Sequence, residues 1–369
     1  MTYEAEARAL DSEILAAIAA WHERGEELEE RAFDTLALRI FAHQLRYNQP
    51  YARYCTRLGI TLDALPSSWE AIPAVPAPAF KEAAITTFDP ARAARVFHTS
   101  GTTAGESGRH YLESTALYDA ALLAGFDRFV LPDRAALRYL NLVPNPQESP
   151  HSSLGYMMAR VAGARGDGKT GWYLRDGQLL FDSFRSDLKR AIAENHPVCI
   201  AATAFALVHL LEAMEAANLR VALPEGSRVM ETGGFKGRTR EVPREELYRR
   251  AAEQLGIASA TIVAEYGMTE LTSQHYDSIP RGEAIPLRRK SSPPWLRARV
   301  VGPNRKTLPK GEIGSLIHVD LANRASCIAI QTEDLGFADN YGFALLGRSL
   351  GAEPRGCSLD AEDLRALRA

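Results

Sequence analysis

An α/β fold with a largely parallel sheet is what this chain predicts, on three observations. Short apolar segments at 137–143, 197–202, 227–230 and 260–264 alternate with stretches of helical periodicity, the pattern of strands joined by helical crossovers. The unusual glycine- and hydroxyl-rich loops each follow one of the apolar, strand-like segments, and ligands in such folds sit at the carboxyl ends of strands. From about residue 297 the texture changes: 297–301 and 314–319 read as two strands joined by a turn, a smaller β-rich section.

The size and composition agree. A chain of 369 residues with 46% hydrophobic and 24% charged content can bury a large core as a soluble globular protein. A net charge of -3 leaves no electrostatic footprint for nucleic acid or an anionic membrane, so partners of those classes are not expected. Glu4, Glu6, Asp11 and Glu13 come early and no apolar run is long enough for a signal peptide or a membrane span. Cys55, Cys199, Cys327 and Cys357 are far apart and form no paired motif, so neither a zinc site nor a disulfide framework is suggested and a cytoplasmic protein is expected.

Taken in order, residues 3–58 predict two helices. Leu10, Ile14, Leu15 and Ile18 fall at helical spacing, as do Phe33, Leu36, Ile40, Phe41 and Leu45. Pro66, Pro73, Pro76 and Pro78 make 66–80 extended. Arg95-Val96-Phe97 is a short strand. An amphipathic helix runs from about Phe205 to Ala217, another starts near Pro243, and a short charged helix near 360–368 closes the chain.

The stretch that stands out is 97–110. Ser100, Gly101, Thr102, Thr103 and Gly105 belong to a run of glycine and hydroxyl residues that ends in Gly108-Arg109-His110. No core can be built from such side chains. They offer flexible backbone, many N–H groups, hydroxyl donors and one cation, which is what wrapping a phosphate chain requires; an ordinary turn would use the same residues. The lysine of a Walker loop is missing after Gly101 and Gly105, and so is a dinucleotide fingerprint.

Other loops carry comparable chemistry. Glu265-Tyr266-Gly267-Met268-Thr269-Glu270-Leu271 follows the strand at 260–264 and sets a flat ring beside a carboxylate; a plain strand-end turn is the alternative. Gln331-Thr332-Glu333-Asp334-Leu335-Gly336 reads as an aspartate before a glycine turn, with Gly347-Arg348 downstream. Glu231-Thr232-Gly233-Gly234-Phe235-Lys236-Gly237-Arg238 lies between a strand and a helix, where paired glycines permit close approach to a ligand. Phe205, just after a strand, suits equally a core position or a pocket wall.

These motifs, in this order, resemble the adenylate-forming superfamily. The first loop resembles its Ser/Thr-Gly-Thr-Thr-Gly phosphate loop, with Ala104 before Gly105. The resemblance implies that Tyr266 stacks on adenine beside Gly267, that Thr269 bonds a phosphate oxygen and that Glu270 holds Mg2+. It further implies that Asp334 and Arg348 reach the ribose, although Glu333 replaces the family's glycine, that Gly233 and Gly234 contact adenine and that Phe205 lies where the acyl pocket is built. More specifically the whole chain resembles the acyl-protein synthetase branch, the luciferin-component ligase of bacterial luminescence and its relatives. Ile72-Pro73-Ala74-Val75-Pro76, Gly108-Arg109-His110, Pro150-His151-Ser152-Ser153, the 231–238 loop and Arg355-Gly356-Cys357-Ser358-Leu359 carry that closer likeness.

The resemblance implies an adenylate-forming domain over 1–346, with largely parallel sheets layered with helices and a small β-rich section, followed by a strongly shortened C-terminal segment over 347–369. About twenty residues follow Arg348 and none is lysine, so the catalytic lysine of larger relatives has no counterpart there; Arg109, Lys236 and Arg238 are the cations left to stabilise transferring phosphate charge. The implied activity is ATP- and Mg2+-dependent formation of an acyl-adenylate from a carboxylic acid, with a fatty acid the substrate this branch implies. Cys357, which occupies the place of the family's acyl-accepting cysteine near the C-terminus, then takes the acyl group as a thioester for an acyl reductase. Transfer to coenzyme A or a carrier-protein thiol is the alternative, and a non-catalytic nucleotide- or acyl-binding subunit a second one.

Overall fold

The computed structural model describes residues 2–99, 107–133, 136–233, 242–278 and 288–348. The chain forms two compact units. One contains the residues up to Ala124, Met268–Gln274 and the described residues from Ser291 on; the other contains Gly125–Gly267 and His275–Lys290. The chain therefore passes from the second unit to the first between Gly267 and Met268.

The second unit is the parallel α/β part. Its strands lie in the order Gly171–Trp172, Arg138–Leu142, Val198–Thr203, Arg228–Thr232 and Ile262–Tyr266, each parallel to its neighbour, with His275–Ser278 added antiparallel. Arg138–Leu142 and Arg228–Thr232 are buried at every position, as a sheet covered on both faces demands. Helices Phe181–Ala193, Ala204–Ala216 and Arg244–Leu255 cover one of these faces, packing Phe184, Leu188, Leu207, Leu211, Leu247 and Leu255 into one core with Ile200, Val229 and Ile262. Thr203 starts the middle helix by accepting from the Ala206 N–H at 3.1 Å.

Two boundaries differ from the sequence expectation here. The strand at 227–230 continues through Thr232, and the one at 260–264 is shifted to Ile262–Tyr266, with Ser259–Thr261 forming a 3-10 turn. Glu231, Thr232, Glu265 and Tyr266 thus belong to strands and not to loops. Polar partners on adjacent strands let these side chains continue the ladder, and single-sequence patterning cannot see such pairing.

In the first unit the N-terminal region holds three helices and not two: Tyr3–Arg24, Glu30–Tyr47 and Gln49–Arg57. Pro50 forces the restart, and the Asn48 side chain caps the third helix by accepting from the Tyr51 N–H at 3.2 Å. The proline-rich segment is extended only in part. Val75–Pro76 pairs parallel with Ile330 and Gln331, but Trp69–Ala71 is a 3-10 turn and Ala79–Glu82 a helical turn started by Pro78. The β-rich section is an antiparallel sheet in the order Leu296–Val301, Gly314–Asp320, Ala329–Asp339, Gly342–Arg348. Its last strand, Gly342–Arg348, takes in two glycines, Gly342 and Gly347. Gly336 is where glycine is required, since a Cβ there would lie 2.2 Å from the Ala344 carbonyl oxygen across the pair.

Buried polar contacts fasten the helices to this sheet. Gln44 donates to the Asn323 and Arg324 carbonyls at 2.9 and 3.1 Å and accepts from the Ile328 N–H at 3.0 Å, while Asn48 donates to the Ser326 carbonyl at 3.0 Å. The Arg324 guanidinium is buried and forks onto Asp11 at 2.7 and 2.9 Å, with Glu113 at 3.0 Å. Among the described residues no helix is long and apolar enough to cross a membrane. Arg324→Met should leave Asp11 and Glu113 facing a neutral side chain and lower stability by about 3 kcal/mol. Urea denaturation at neutral pH checks this, and an unchanged midpoint would refute it.

Candidate functional site

The predicted phosphate loop is carried on a β-hairpin. Arg95–His98 pairs antiparallel with Arg109–Leu112, Cα partners running from Arg95↔Leu112 to His98↔Arg109. Its neck is closed by the Thr99 N–H to the Gly108 carbonyl at 2.9 Å and the Gly108 N–H to the Thr99 hydroxyl at 2.8 Å. Ser100, Gly101, Thr102, Thr103 and Gly105 lie outside the described residues. Arg109 and His110 were expected to close the loop; they begin its return strand instead, because the four residues Arg109 to Leu112 offer alternating outward and inward side chains. Arg109 is exposed at the strand's start and His110 is buried.

His110 connects this hairpin to the second motif. Its Nδ1–H donates to the Thr269 carbonyl at 2.7 Å. Burial pushes the imidazole down to about 4, so it is neutral at physiological pH and donates without adding charge.

The segment after Thr269 is held more firmly still. Glu270 is 7% exposed, and its backbone carbonyl accepts from Asn323 Nδ2 at 2.9 Å. Asn323 also donates to the Cys327 carbonyl at 3.0 Å and accepts from the Thr272 hydroxyl. Asp320 accepts from the Thr272 N–H at 3.0 Å, the Ser273 N–H at 2.8 Å, the Ser273 hydroxyl at 2.9 Å and the Ala322 N–H at 3.0 Å. Trp295 Nε1 donates to the same Ser273 hydroxyl at 2.9 Å. Met268–Gln274 therefore has its backbone direction set from the sheet below it.

The third motif is not the turn expected from an aspartate before a glycine. Asp334 lies within the eleven-residue strand Ala329–Asp339, where cross-strand hydrogen bonds outweigh local turn preference. Its Cα partner on the neighbouring strand is Arg348, with Leu335 opposite Gly347. Two residues assigned to one role from separate motifs thus stand directly opposite each other. Gly347 has φ +116°, a conformation that a side chain would strain.

The second unit holds the remaining described residues. Thr232 and Glu265 are Cα partners on adjacent parallel strands, and the Thr232 hydroxyl donates to the Glu265 carboxylate. Gly233 follows directly, turning the chain at φ +75° and exposed to solvent; Gly234, Lys236 and Arg238 lie outside the described residues. Tyr266 ends the adjoining strand, half-buried, its ring 5.8 Å from that of His275. Gly267 is the last residue of this unit before the chain crosses. Phe205 sits in the first turn of helix Ala204–Ala216, half-buried with its ring edge-on to His209 at 4.3 Å, so it is not part of the fully buried core.

Beneath these strand ends lies a buried set of charges. Lys290 Nζ bonds Asp277 at 2.8 Å and the Ala264 carbonyl at 2.8 Å; Tyr248 donates to Glu231 at 2.7 Å, with Arg244 3.5 Å away. Burial opposes ionisation of Asp277, yet Lys290, Arg244 and Arg288 outweigh it and hold the carboxyl below its ordinary range. Burial pushes Glu231 up, and Glu265 up to about 7.

Cys357 lies outside the described residues. The other three cysteines are buried, and burial pushes the thiols of Cys199 and Cys327 up to about 12, which removes the thiolate at neutral pH. Sequence reasoning missed Asp320, Asn323 and Glu265 and gave His110 no role, because a buried polar contact between distant segments has no local signature. The nearest clue was polar residues directly after apolar strand segments.

His110 also gives a pH dependence with a definite sign. A base held below its ordinary value stabilises the fold above that value, and the contribution is lost as pH falls from 6.5 toward 4. Wild type should lose about 3 kcal/mol more than His110→Gln over that window. Denaturation at a series of pH values checks the difference; parallel curves would refute it.

The family model of the acyl-protein synthetases, LuxE, matches residues 6–364. No curated protein matches the chain. Among solved structures it is similar to ATP-bound MatB from Rhodopseudomonas palustris, at 19% identity over 71% of this chain and 49% of that one, with TM-score 0.51. It is also similar to a long-chain-fatty-acid–CoA ligase (FadD1) from Archaeoglobus fulgidus, at 15% identity over 71% and 52% of the two chains, with TM-score 0.50. At these identities the likeness speaks for the fold, which is that of the adenylate-forming domain as expected, and this chain spans about half the length of those proteins. By the match over nearly its whole length, the chain belongs to the acyl-protein synthetase family, LuxE.

Proposed function

We propose that this chain activates a carboxylic acid with ATP and passes the acyl group to a thiol, Cys357 of the chain itself. Family membership and the adenylate-forming fold support the reaction class. The observation that carries the nucleotide reading is the cross-strand pairing of Asp334 with Arg348, which sets two separately read motifs opposite each other.

In this reading the acid's carboxylate oxygen attacks the α-phosphorus of ATP, the bond to the β-phosphate breaks, and acyl-adenylate and pyrophosphate result. Ser100, Gly101, Thr102, Thr103 and Gly105 wrap the phosphates with backbone N–H groups and hydroxyls. Arg109 and Lys236 supply positive charge as negative charge builds on the leaving oxygens. Tyr266 stacks on the base, with Gly233, Gly234 and Gly267 allowing close approach. Thr269 donates to a phosphate oxygen, and Asp334 and Arg348 bond the ribose. Phe205 lines the acyl pocket.

Glu270 is the residue that would hold Mg2+. A hard cation takes carboxylate oxygen, and Mg2+ keeps phosphate and water oxygens for most of its shell, so one protein carboxylate would serve it. Mg2+ would neutralise phosphate charge. His110 and Asn323, through the carbonyls of Thr269 and Glu270, fix the backbone that presents both side chains.

In the second step the Cys357 thiolate attacks the activated carbonyl carbon and AMP leaves with the bonding pair, giving a thioester for an acyl reductase to reduce. The same proposal takes 1–346 as the adenylate-forming body, 347–369 as the segment that carries the acceptor, a fatty acid as substrate and the cytoplasm as the compartment. Transfer to coenzyme A or a carrier protein stays as the outcome in which Cys357 is a bystander.

ATP–pyrophosphate exchange across carboxylic acids graded by chain length tests the first step, and exchange with no acid would overturn it. Arg109→Ala should abolish exchange, whereas near-normal exchange at saturating ATP would remove Arg109 from the chemistry. Asp334→Ala should raise the KM for ATP about tenfold with a smaller change in kcat, as loss of charge-assisted hydrogen bonds to a bound group predicts. Cys357→Ser should keep exchange and lose hydroxylamine-labile acyl labelling; labelling that survives would exclude self-acylation at that residue.

A further inference from the structure

Thr232 and Glu265 are an unusual pair for a sheet interior. They are Cα partners on adjacent parallel strands, 7% and 6% exposed, and the hydroxyl of one donates to the carboxylate of the other. Among the described residues the cation that acts on Glu265 is Lys290, whose Nζ bonds Asp277 and the Ala264 carbonyl. Two apolar side chains would join these strands without burying a carboxyl, so stability does not account for the choice. What the pair does have is position. Thr232 directly precedes Gly233, where the chain turns at φ +75°, and Glu265 directly precedes Tyr266.

We propose that Thr232 and Glu265 are a positioning pair that sets nucleotide affinity by holding the Gly233 turn and the Tyr266 ring at one spacing. This rests on the reading of those residues as nucleotide-binding. The protonation state of Glu265 governs the hold. An ionised carboxylate only accepts, which fixes the Thr232 hydroxyl as donor; the neutral acid can donate or accept, and the hydroxyl is then free to turn. Burial raises Glu265 to about 7, with the Thr232 bond and Lys290 pulling it down and Glu231 pushing it up, so the change falls in the physiological range.

Among the described residues the other groups of this cluster are Glu231 on the Thr232 strand, Asp277 and His275 on the antiparallel strand, Arg288 and Lys290 beyond it, and Arg244 and Tyr248 on the covering helix. Asp277 is held below the usual carboxylate range and Tyr248 well above its usual value, so neither changes charge near neutrality. Glu231 is the other raised carboxyl, and Glu231→Gln is the control.

The test is ATP binding to the full chain by calorimetry from about pH 5.5 to about pH 8.5, a window spanning the raised value. Wild type should bind about fivefold more tightly as pH rises through about 7. Glu265→Gln and Thr232→Val should bind weakly at every pH, Thr232→Ser should restore the profile, and Glu231→Gln should keep it. Glu265→Gln should melt no lower than wild type at the alkaline end, since the amide keeps the acceptor and removes a buried charge. Should that variant fail to fold, the Thr232 pair of variants decides. A wild-type profile retained in Glu265→Gln or Thr232→Val, lost in Glu231→Gln, or flat in wild type that does bind ATP would overturn the positioning pair alone. Wild type that binds no ATP at any pH would overturn the nucleotide reading and this inference with it.

Discussion

The Asp320 carboxylate is the group on which the arrangement of the first unit depends. It is fully buried, and burial raises it to about 6 even though four donors converge on it. Holding a carboxyl against that penalty is worthwhile only where the donors need fixing. Here they are Thr272, Ser273 and Ala322, so a single side chain at the end of a strand sets both the turn after it and the segment leading away from Glu270. Asn323 extends the same lattice to the Glu270 carbonyl, and Gln44 ties the second helix to it. The segment with Thr269 and Glu270 thus takes its direction from a network whose members come from three distant parts of the chain.

A different constraint operates on the antiparallel sheet. Register decides which residues share an edge, and the partnership of Asp334 with Arg348 follows from the pairing of Ala329–Asp339 with Gly342–Arg348. The ladder shifts between Leu335 and Gly336, where glycine lets the partner strand approach within the space of a side chain. Had that position carried a Cβ, the register of the Asp334 end would have to change. The glycine that reads as a turn signal in sequence is therefore a condition of strand pairing.

The second unit shows how charge is used where apolar packing would serve the core. Lys290, Asp277, Glu231 and Glu265 are buried, with the exposed Arg244 reaching Glu231 from outside, and they are placed so that only some are fully compensated. Asp277 has the best partners and ionises readily; Glu231 and Glu265 have poorer ones and resist. Low dielectric magnifies that difference, which is why Glu265 is raised to about 7 and Glu231 is raised above its ordinary range while Asp277 is held below its own.

The sequence by itself determined the fold class, the strand-helix alternation, the β-rich section and the family, because hydrophobic periodicity and glycine-rich loops are local properties of the chain. It also marked Ser100 to Gly105, Tyr266 to Glu270, Asp334 and Arg348, since their residue types suit phosphate, aromatic and ribose contacts wherever they lie. Element ends were poorly legible. Tyr266, Thr232, Arg109 and Asp334 read as loop residues because nothing local tells that a partner strand will take up their backbone groups, and Pro50 was too weak a cue to split a helix. Only the tertiary structure decided that His110 reaches Thr269, that Asn323 and Asp320 hold the Glu270 segment and that Thr232 meets Glu265. Each of those contacts joins residues at least 33 positions apart. Its energy depends on burial and on an exact approach of donor to acceptor, and both exist only after the chain has folded.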